Sequence, residues 1–239
     1  MTDFRDRLYA RYVTCFKASA SGPSDNAFAR WANTRYLPHL LPLAKESKIL
    51  EIGCGDGQML SYLGRKGFTN ASGIDGSAEQ VARARRRGVG ATHADVFSFL
   101  RGREQEYDGI VAIDVLEHFT KDELLDLFPM IFGAMRPGAS ILLQTVNGDG
   151  IFAANVAYGD LTHMTILNRS SLTQILRFCG FVDEAFKEAS PVPNSMSGIF
   201  RAGAWSIVRL SLDVLRGIET GETRGLWTGN MLCCARRPA

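Results

Sequence analysis

The sequence predicts an α/β fold, in which helices cover both faces of a mostly parallel β-sheet and one strand near the carboxyl end is reversed. Short apolar segments alternate with helical segments about every 20–25 residues between residues 48 and 147. A turn with three glycines, residues 53–57, joins the first strand to the helix that follows it. Such alternation is typical of parallel βαβ units, whose sheets are covered on both faces.

The order of the elements follows from apolar runs and from residues that start or end helices. Strands are expected at 48–53, 70–75, 90–96, 107–114, 140–147, 181–189 and 230–237, bounded by glycine, proline or polar residues. Helices are expected at 58–67, 77–88, 120–138, 169–181 and 202–217, where apolar residues recur at helical spacing. Residues 45–239 are therefore predicted to form one globular domain, preceded by a helical segment at 1–44.

Composition limits the partners and the compartment. The net charge of +2 argues against a nucleic-acid partner, because binding phosphates needs a basic face. No apolar run is long enough for a transmembrane helix, and the first residues lack the apolar stretch of a secretory signal. The five cysteines are odd in number and contain no C-x-x-C pair, which predicts neither a disulfide framework nor a metal cluster and favours the reducing cytoplasm.

The glycine turn at 53–57 is the first candidate ligand site. Glycines let the backbone approach a ligand closely, and the following helix offers free N–H groups to an anion. Asp75 ends the second strand 22 positions after Gly53, where an acidic side chain binds ribose hydroxyls. Asp95 ends the third strand and is expected to meet an adenine edge. The alternative for the turn alone is a tight strand–helix connection that binds nothing.

The residues around this turn resemble those of a known family. The segments E-I-G-C-G-D-G at 51–57, A-D-V at 94–96 and Y-D-G-I-V-A-I-D-V-L-E-H at 107–118, with Asp75, are similar to the class I S-adenosylmethionine-dependent methyltransferases. The third glycine of the turn comes one residue earlier than in the dinucleotide-binding pattern G-x-G-x-x-G. The resemblance implies a Rossmann-like, seven-stranded sheet with one antiparallel strand. It also implies the cofactor S-adenosylmethionine, which leaves as S-adenosylhomocysteine.

The resemblance implies a role for each matching residue. The glycine turn would flank the methionine part of the cofactor, Asp75 would bind the ribose, and Asp95 with Val96 would bind the adenine. Arg35 would clamp the carboxylate of the cofactor or, alternatively, lie on a solvated helix face, and residues 1–44 would form a helical cap over the cofactor. The expected cofactor-binding residues are Arg35, Glu51, Gly53, Gly55, Asp56, Gly57, Asp75, Gly76, Asp95, Val96, Ile113 and Asp114.

Two histidines are candidates for the general base that a hydroxyl acceptor needs. His118 follows D-V-L-E at the mouth of the cleft, and its alternative role is a local hydrogen bond at a helix start. His163 ends the segment Y-G-D-L-T-H at 158–163, and Asp160 lies three residues before it, where a turn would let it orient the ring. We expect His163 to be the base, with capping of a helix end as its alternative role, and we expect no metal.

Two further similarities indicate the acceptor. Y-G-D-x-T-H and the helix at 169–181 are similar to methyltransferases encoded with bacterial surface-glycan assembly. This predicts methyl transfer to a hydroxyl of a sugar, in a bacterial glycan or its nucleotide-linked or lipid-linked precursor. A small aromatic or quinone-like acceptor is the alternative, and a partner subunit that binds the cofactor without catalysis is a third hypothesis. Tyr62 and Lys66 match the Y-x-x-x-K pair of nicotinamide reductases, but they lie behind the turn, where they cannot reach a nicotinamide.

Two helices carry arginines whose role the sequence leaves open. The helix at 202–217, with Arg201, Arg209 and Arg216, allows packing on the sheet, a dimer contact or contact with a membrane surface. We expect core packing or a dimer contact, and a peripheral membrane contact only for a lipid-linked acceptor. The chain is thus predicted to be a monomer or a homodimer. The basic run at 83–87 is expected on a solvated helix face.

Overall fold

The computed structural model describes residues 4–11, 13–17, 24–40 and 42–239. Seven strands form one sheet in the order β3-β2-β1-β4-β5-β7-β6. β7 runs antiparallel to β5 and β6, whereas the other neighbouring pairs are parallel, which confirms the predicted fold class. The strands are β1 Ile49–Ile52, β2 Ala71–Asp75, β3 Ala91–His93, β4 Tyr107–Ile113, β5 Met135–Val146, β6 Val182–Glu188 and β7 Asn230–Arg236.

Ten α-helices accompany the sheet within the described residues. They are α1 Phe4–Tyr9, α2 Asp25–Arg35, α3 Leu37–Leu40, α4 Gln58–Arg65, α5 Ala78–Arg86, α6 Val96–Leu100, α7 Lys121–Ala134, α8 Ala153–Ala157, α9 Arg169–Phe178 and α10 Met196–Thr220. Side chains cap several of these helices: the Ser77 hydroxyl accepts from the Gln80 N–H, and Thr120 and Glu123 cap α7 reciprocally.

The two largest apolar clusters of the core lie on opposite faces of the sheet, because successive strand residues point to opposite sides. Leu50 and Ile52 of β1 pack with Phe128 of α7 and with α9, whereas Ile49 of the same strand packs on the other face with Tyr36. The second cluster also contains residues of α2, α3 and α4. Both faces are therefore covered, as parallel sheets require.

Three boundaries differ from the prediction, each for a local reason. The strand expected at 90–96 ends at His93, because Asp95 caps the short helix α6 through the Ser98 N–H. The helix expected at 120–138 ends at Ala134, and the chain enters β5 before Pro137, which cannot donate to a helix. The helix expected at 202–217 begins earlier, at Met196.

The described part of the segment 1–44 is attached to the domain at several points. Both terminal nitrogens of Arg5 in α1 contact the Glu123 carboxylate at 2.7 Å, and one of them also donates to the His118 carbonyl at 3.0 Å. In α2, the buried residues Phe28 and Ala32 belong to the second core cluster. Because His118 follows β4, α1 lies at the carboxyl edge of the parallel strands. Residues 1–3, 12, 18–23 and 41 of the predicted cap lie outside the described residues.

The outer strand β6 is irregular. Its pairing with β7 shifts in register between Val182 and Ala185. Asp183, which lies in that gap, has a φ of 56°, a left-handed conformation that is uncommon for a residue with a side chain. No helix in the described ranges is long and apolar enough to cross a membrane.

A substitution at Phe128 measures how much the packing of α7 contributes to the free energy of unfolding. Phe128 is fully buried, whereas Leu125 on the same helix is 44% exposed. We expect Phe128→Ala to lower the free energy of unfolding by about 3–5 kcal/mol, since it leaves a cavity in a packed core. Leu125→Ala is the matched control and should change it by less than about 1 kcal/mol. Denaturant unfolding measures both, and equal effects would contradict this description of the core.

Candidate cofactor and acceptor site

The glycine turn passes so close to its neighbours that side chains do not fit. Gly53, Gly55 and Gly57 have φ values of 70°, 53° and 79°, which favour glycine. A Cβ at Gly53 would lie 2.1 Å from Val115 Cγ2, and one at Gly57 would lie 2.5 Å from Val89 Cγ2. The backbone of the turn is therefore bare on a surface beyond β1, which is the kind of surface that a cofactor can approach closely.

Glu51, at the end of β1, is a buried acid with an unused acceptor. Its Oε2 has no hydrogen-bond partner among the described residues. Burial, with the nearby carboxylates of Asp75 and Asp56, raises the pKa of Glu51 well above its usual value. A buried acceptor without a donor is costly, so this position suits a ligand that brings a donor.

Asp75 closes the turn from the end of β2. Its carboxylate accepts the Gly55 N–H at 2.8 Å and the Ser77 N–H at 2.7 Å. The side chain is thus fixed beside the turn, and it lies at the strand end where the sequence expected a ribose ligand. Gly76 follows it with open space around the Cβ position, and its carbonyl contacts His93 Nε2 at 3.1 Å.

The expected adenine residues sit at the start of α6. Asp95 is exposed and caps the helix through the Ser98 N–H at 2.8 Å, while Val96 is buried. The structure therefore places both beyond β3, next to the end of β2. The helix that they begin was not predicted from the sequence.

Asp114 anchors a hydrogen-bond chain at the end of β4. Gln144 Nε2 donates to both carboxylate oxygens at 2.9 and 3.0 Å, and Asn230 Nδ2 donates to one of them at 3.0 Å. The amide oxygen of Gln144 accepts the Tyr36 hydroxyl at 2.9 Å. Asp114 itself has a φ of 53°, so these bonds hold a side chain on a strained backbone, directly after Ile113. Gln144, Tyr36 and Asn230 were not predicted at this site from the sequence.

Arg35 reaches the same end of the sheet from α2. One terminal nitrogen donates to the carbonyls of Ala189 and Ser190, both at 2.7 Å, and the guanidinium stacks 4.3 Å above the Trp31 ring. Its Nε is buried with no partner among the described residues, and burial lowers the pKa of Arg35. The side chain is therefore half-buried and held by the protein, unlike the solvated residue that was the alternative.

Arg87 is a site residue that the sequence analysis missed. Its guanidinium contacts Asp56 Oδ2 at 2.7 Å and Asp25 Oδ1 at 2.6 Å. It thereby ties the glycine turn to the start of α2. The basic run at 83–87 concealed this residue, because its neighbours suggested a solvated helix face.

Thr162 organises the acceptor side of the site. Its hydroxyl donates to Asp160 Oδ1 at 2.6 Å and contacts His118 Nδ1 at 2.8 Å. Tyr9 of α1 also hydrogen-bonds Thr162, and burial raises the pKa of Tyr9 to about 12. The Glu117 carbonyl accepts the N–H groups of the residues at 164 and 165, which docks the segment 158–163 onto the turn that holds His118.

His163 lies beside His118, but its partner is not the expected one. Its Nδ1 contacts the Ala157 carbonyl at 3.1 Å, and the two histidine rings are 4.8 Å apart. The expected orientation of His163 by the Asp160 side chain is wrong, because that carboxylate accepts from Thr162 instead. A carbonyl oxygen only accepts, so the bond assigns the proton to Nδ1 and leaves Nε2 as the basic nitrogen of the neutral ring.

Glu117 lies close to both histidines. Thr145 donates to its Oε2 at 2.8 Å, and burial, with the charge of Asp114, raises the pKa of Glu117 to about 8. Glu117, His118 and His163 each offer a donor atom within 4.8 Å of the others. The cluster places a buried acid and two imidazoles on the acceptor side.

The residues of the cleft fit a cofactor with a methionine part. The turn keeps a bare backbone at the end of β1, because a Cβ at Gly53 or Gly57 would clash with Val115 or Val89. Glu51 Oε2 and Arg35 Nε are an acceptor and a donor that lack protein partners. An amino acid moiety brings the opposite groups, an ammonium and a carboxylate.

Gly57 tests whether the conformation of the glycine turn matters for cofactor binding. We expect Gly57→Ala to weaken binding of S-adenosylmethionine at least about tenfold, because the new Cβ would displace Val89 or the turn and the left-handed φ would be strained. Gly64→Ala in α4 is the control: nothing lies within 4 Å of its Cβ position, and alanine favours the helix by up to about 1 kcal/mol. Calorimetric binding compares the two variants, and unchanged binding by Gly57→Ala would show that cofactor binding does not depend on the conformation of the turn.

Glu117 should make stability depend on pH. Its folded-state pKa of about 8 lies above the usual value of 4.5, so the folded protein keeps a proton that the unfolded chain releases. The free energy of unfolding should therefore fall as pH rises from about 5 to 8, by up to roughly 1.4 kcal/mol per pH unit. Glu117→Gln should remove this dependence, and Glu104→Gln, at an exposed position, should not. Denaturant unfolding at several pH values measures it, and parallel curves for Glu117→Gln and the parent would refute it.

Comparison with known proteins gives relatives at low identity. A tRNA U34 carboxymethyltransferase of Tolumonas auensis is 25% identical over 164 residues, covering 64% of this chain and 49% of the relative. A ubiquinone biosynthesis O-methyltransferase of Klebsiella pneumoniae is 28% identical over 109 residues, covering 43% of this chain and 44% of the relative. A cyclopropane-fatty-acyl-phospholipid synthase of Escherichia coli is 25% identical over 118 residues, covering 49% of this chain and 31% of the relative. The chain spans half or less of the length of these relatives.

Solved structures share the fold. A SAM-dependent methyltransferase from Archaeoglobus fulgidus superposes with a TM-score of 0.72 at 18% identity, covering 94% of this chain and 99% of that one. A phosphoethanolamine N-methyltransferase of Haemonchus contortus superposes with a TM-score of 0.65 at 15% identity, covering 97% of this chain and 61% of that one. Residues 26–185, about two thirds of the chain, match the family model of the methyltransferase domain. The chain therefore belongs to the methyltransferase domain family, and its cofactor is S-adenosylmethionine.

Proposed function

We propose that this chain transfers a methyl group from S-adenosylmethionine to a hydroxyl of a sugar, in a bacterial glycan or its nucleotide-linked or lipid-linked precursor. The observation that carries the proposal is the polar acceptor side, where His163 and His118 lie 4.8 Å apart under the Tyr158–His163 segment. The Thr162 hydroxyl links this segment to His118. Such a cluster of imidazoles and hydroxyls offers hydrogen bonds to a polyhydroxylated acceptor.

The cofactor residues are proposed from their positions at the strand ends. Glu51, Arg35 and the glycine turn would hold the methionine part, Asp75 the ribose and Asp95 with Val96 the adenine. Residues 1–44 would cap the bound cofactor, which the contacts of Arg5 at the carboxyl edge support. The other proposed contacts are Gly53, Gly55, Asp56, Gly57, Gly76, Ile113 and Asp114.

The proposed chemistry needs one base. When bound, S-adenosylmethionine supplies a methyl group that is already activated by the positive sulfur. His163 Nε2 would accept the hydroxyl proton as the new oxygen–carbon bond forms and the sulfur–carbon bond breaks. The Ala157 carbonyl fixes the tautomer that this step requires. His118, held by Thr162, would bind the acceptor beside it, and Asp160 would act through Thr162 as a positioning residue.

Three observations bear on the acceptor and the compartment. The relatives that are named ubiquinone biosynthesis O-methyltransferases support oxygen as the accepting atom, and they favour a small aromatic or quinone-like acceptor as the second candidate. The net charge of +2 supports an acceptor other than a nucleic acid. The five free cysteines support a reducing cytoplasm.

The experiment separates binding from catalysis. Labelled S-adenosylmethionine is incubated with sugar nucleotides, lipid-linked saccharides and a panel of catechols and quinols. We expect a sugar acceptor, and we expect His163→Ala to lower kcat about 10²–10⁴-fold with unchanged cofactor affinity. Asp75→Ala should instead weaken the affinity for the cofactor. His39→Ala, in α3, is the control and should change neither.

Three outcomes would contradict the proposal. Methylation of catechols or quinols alone would replace the sugar by the second candidate. Full activity of His163→Ala, with an unchanged pH–rate profile, would remove the base assignment. Loss of activity with a chelator would show that the reaction needs a metal, for which Glu117, His118 and His163 are the candidate ligands, because the proposed base needs none.

A further inference from the structure

Helix α10 is attached to the domain along one face only. Trp205 Nε1 donates to Glu188 at 3.2 Å, Asp213 accepts from the Trp227 indole at 2.8 Å, and Arg216 contacts Glu222 at 2.7 Å. Gly198 is the buried residue among its 25 residues. The core packing that was one expectation for this helix is therefore wrong.

The opposite face of α10 is apolar and exposed. At 3.6 residues per turn, the apolar residues that face outward fall in an arc centred opposite Trp205. They are exposed by 55–83%: Met196 83%, Phe200 77%, Ile207 71%, Leu210 65%, Val214 55% and Ile218 78%. Ile199 and Leu215, at the flanks of this arc, are exposed by 54% and 61%. We call these eight side chains the outer face.

The width of the outer face indicates what covers it. All five charged residues of α10 lie on the inner side, which leaves a charge-free arc of roughly 240°. A partner helix covers a narrow seam, so it would leave the flanks of this arc in water. A helix lying in the interface of a bilayer immerses an arc of this width.

The charges of α10 also favour a bilayer as the partner of the outer face. Between residues 196 and 212 the charged residues of α10 are Arg201 and Arg209, with no acid. Both are exposed and form no ion pair with any residue that the structure describes. They lie about 40° either side of Trp205 around the helix, and their long side chains extend towards anionic headgroups while the outer face is immersed.

A second exposed apolar segment adjoins α10. Phe152, Tyr158 and Leu161 are exposed by 65%, 86% and 77%. The segment begins at Ile151, whose N–H donates to the Trp227 carbonyl at 3.1 Å, and the Trp227 indole in turn contacts α10. This segment leads directly into the Tyr158–His163 segment of the acceptor side. Trp227 thus links this exposed segment, which ends at the acceptor side, to α10.

We propose that the outer face of α10, with the exposed segment at 151–161, docks on an anionic phospholipid bilayer. The docking brings the acceptor side to the lipid surface. Docking would therefore favour the lipid-linked precursor among the sugar acceptors proposed above. Only this choice of acceptor rests on the proposed function.

Co-sedimentation with vesicles tests the docking. Vesicles of phosphatidylcholine alone are compared with vesicles of phosphatidylcholine and phosphatidylglycerol. We expect the parent chain to bind the anionic vesicles, and binding to weaken with salt. Phe200→Ser with Ile207→Ser should reduce binding at least about tenfold. Phe178→Ser with Leu125→Ser is the control, since these side chains are 74% and 44% exposed elsewhere, and it should bind as the parent does.

Two results would overturn the docking. One is equal sedimentation of the parent and the α10 variant, with thermal unfolding showing both folded. The other is a dimer by light scattering that the α10 variant converts to monomer without any vesicle binding, which would make a second copy the occupant. Calorimetric binding of S-adenosylmethionine by the α10 variant should stay unchanged, so that a failure here is distinguishable from a failure of the proposed function.

Discussion

The adjacency of β1 and β4 in the middle of the sheet is the constraint on which the site depends. The connections that follow these two parallel strands leave towards different parts of the molecule, and a crevice opens between them. The backbone at Gly53 then passes so close to Val115 that a methyl group does not fit. The strands that lead into the glycine turn, the acids and the turn that holds His118 all end at one edge of the sheet. These groups therefore face the crevice.

The crevice concentrates acids, and the protein manages their repulsion in two ways. Asp75 and Asp114 accept hydrogen bonds from backbone or amide groups, which stabilise their charged forms. Glu51 and Glu117 are instead buried and have raised pKa values, which favours their neutral forms. The same edge can therefore hold a positively charged group without carrying the full charge of four carboxylates.

The sequence predicted the parts whose cause is local. Strands β1 to β5 and the glycine turn follow from apolar runs and from glycine spacing, and Ser77 caps its helix as any serine there would. The partners of Asp114 could not be predicted, because Gln144, Tyr36 and Asn230 meet only once β5, α2 and β7 have packed. Asp160 and His163 show the opposite error: sequence proximity suggested a contact, but Thr162 lies nearer to the carboxylate. The extent of α10 was underestimated because its first three residues, Met196, Ser197 and Gly198, belong to a stretch rich in proline, serine and glycine at 190–198.

The irregular strand β6 has a consequence for the behaviour of the molecule at high concentration. An open sheet has two outer strands, and each offers unpaired backbone groups to a strand from another molecule. Here one edge is β3, with three residues, and the other is β6, where the left-handed Asp183 interrupts the pairing. Glu184 and Lys187 add charges to that second edge. A short strand at one end and a kinked, charged strand at the other leave little continuous edge for fibril-like stacking.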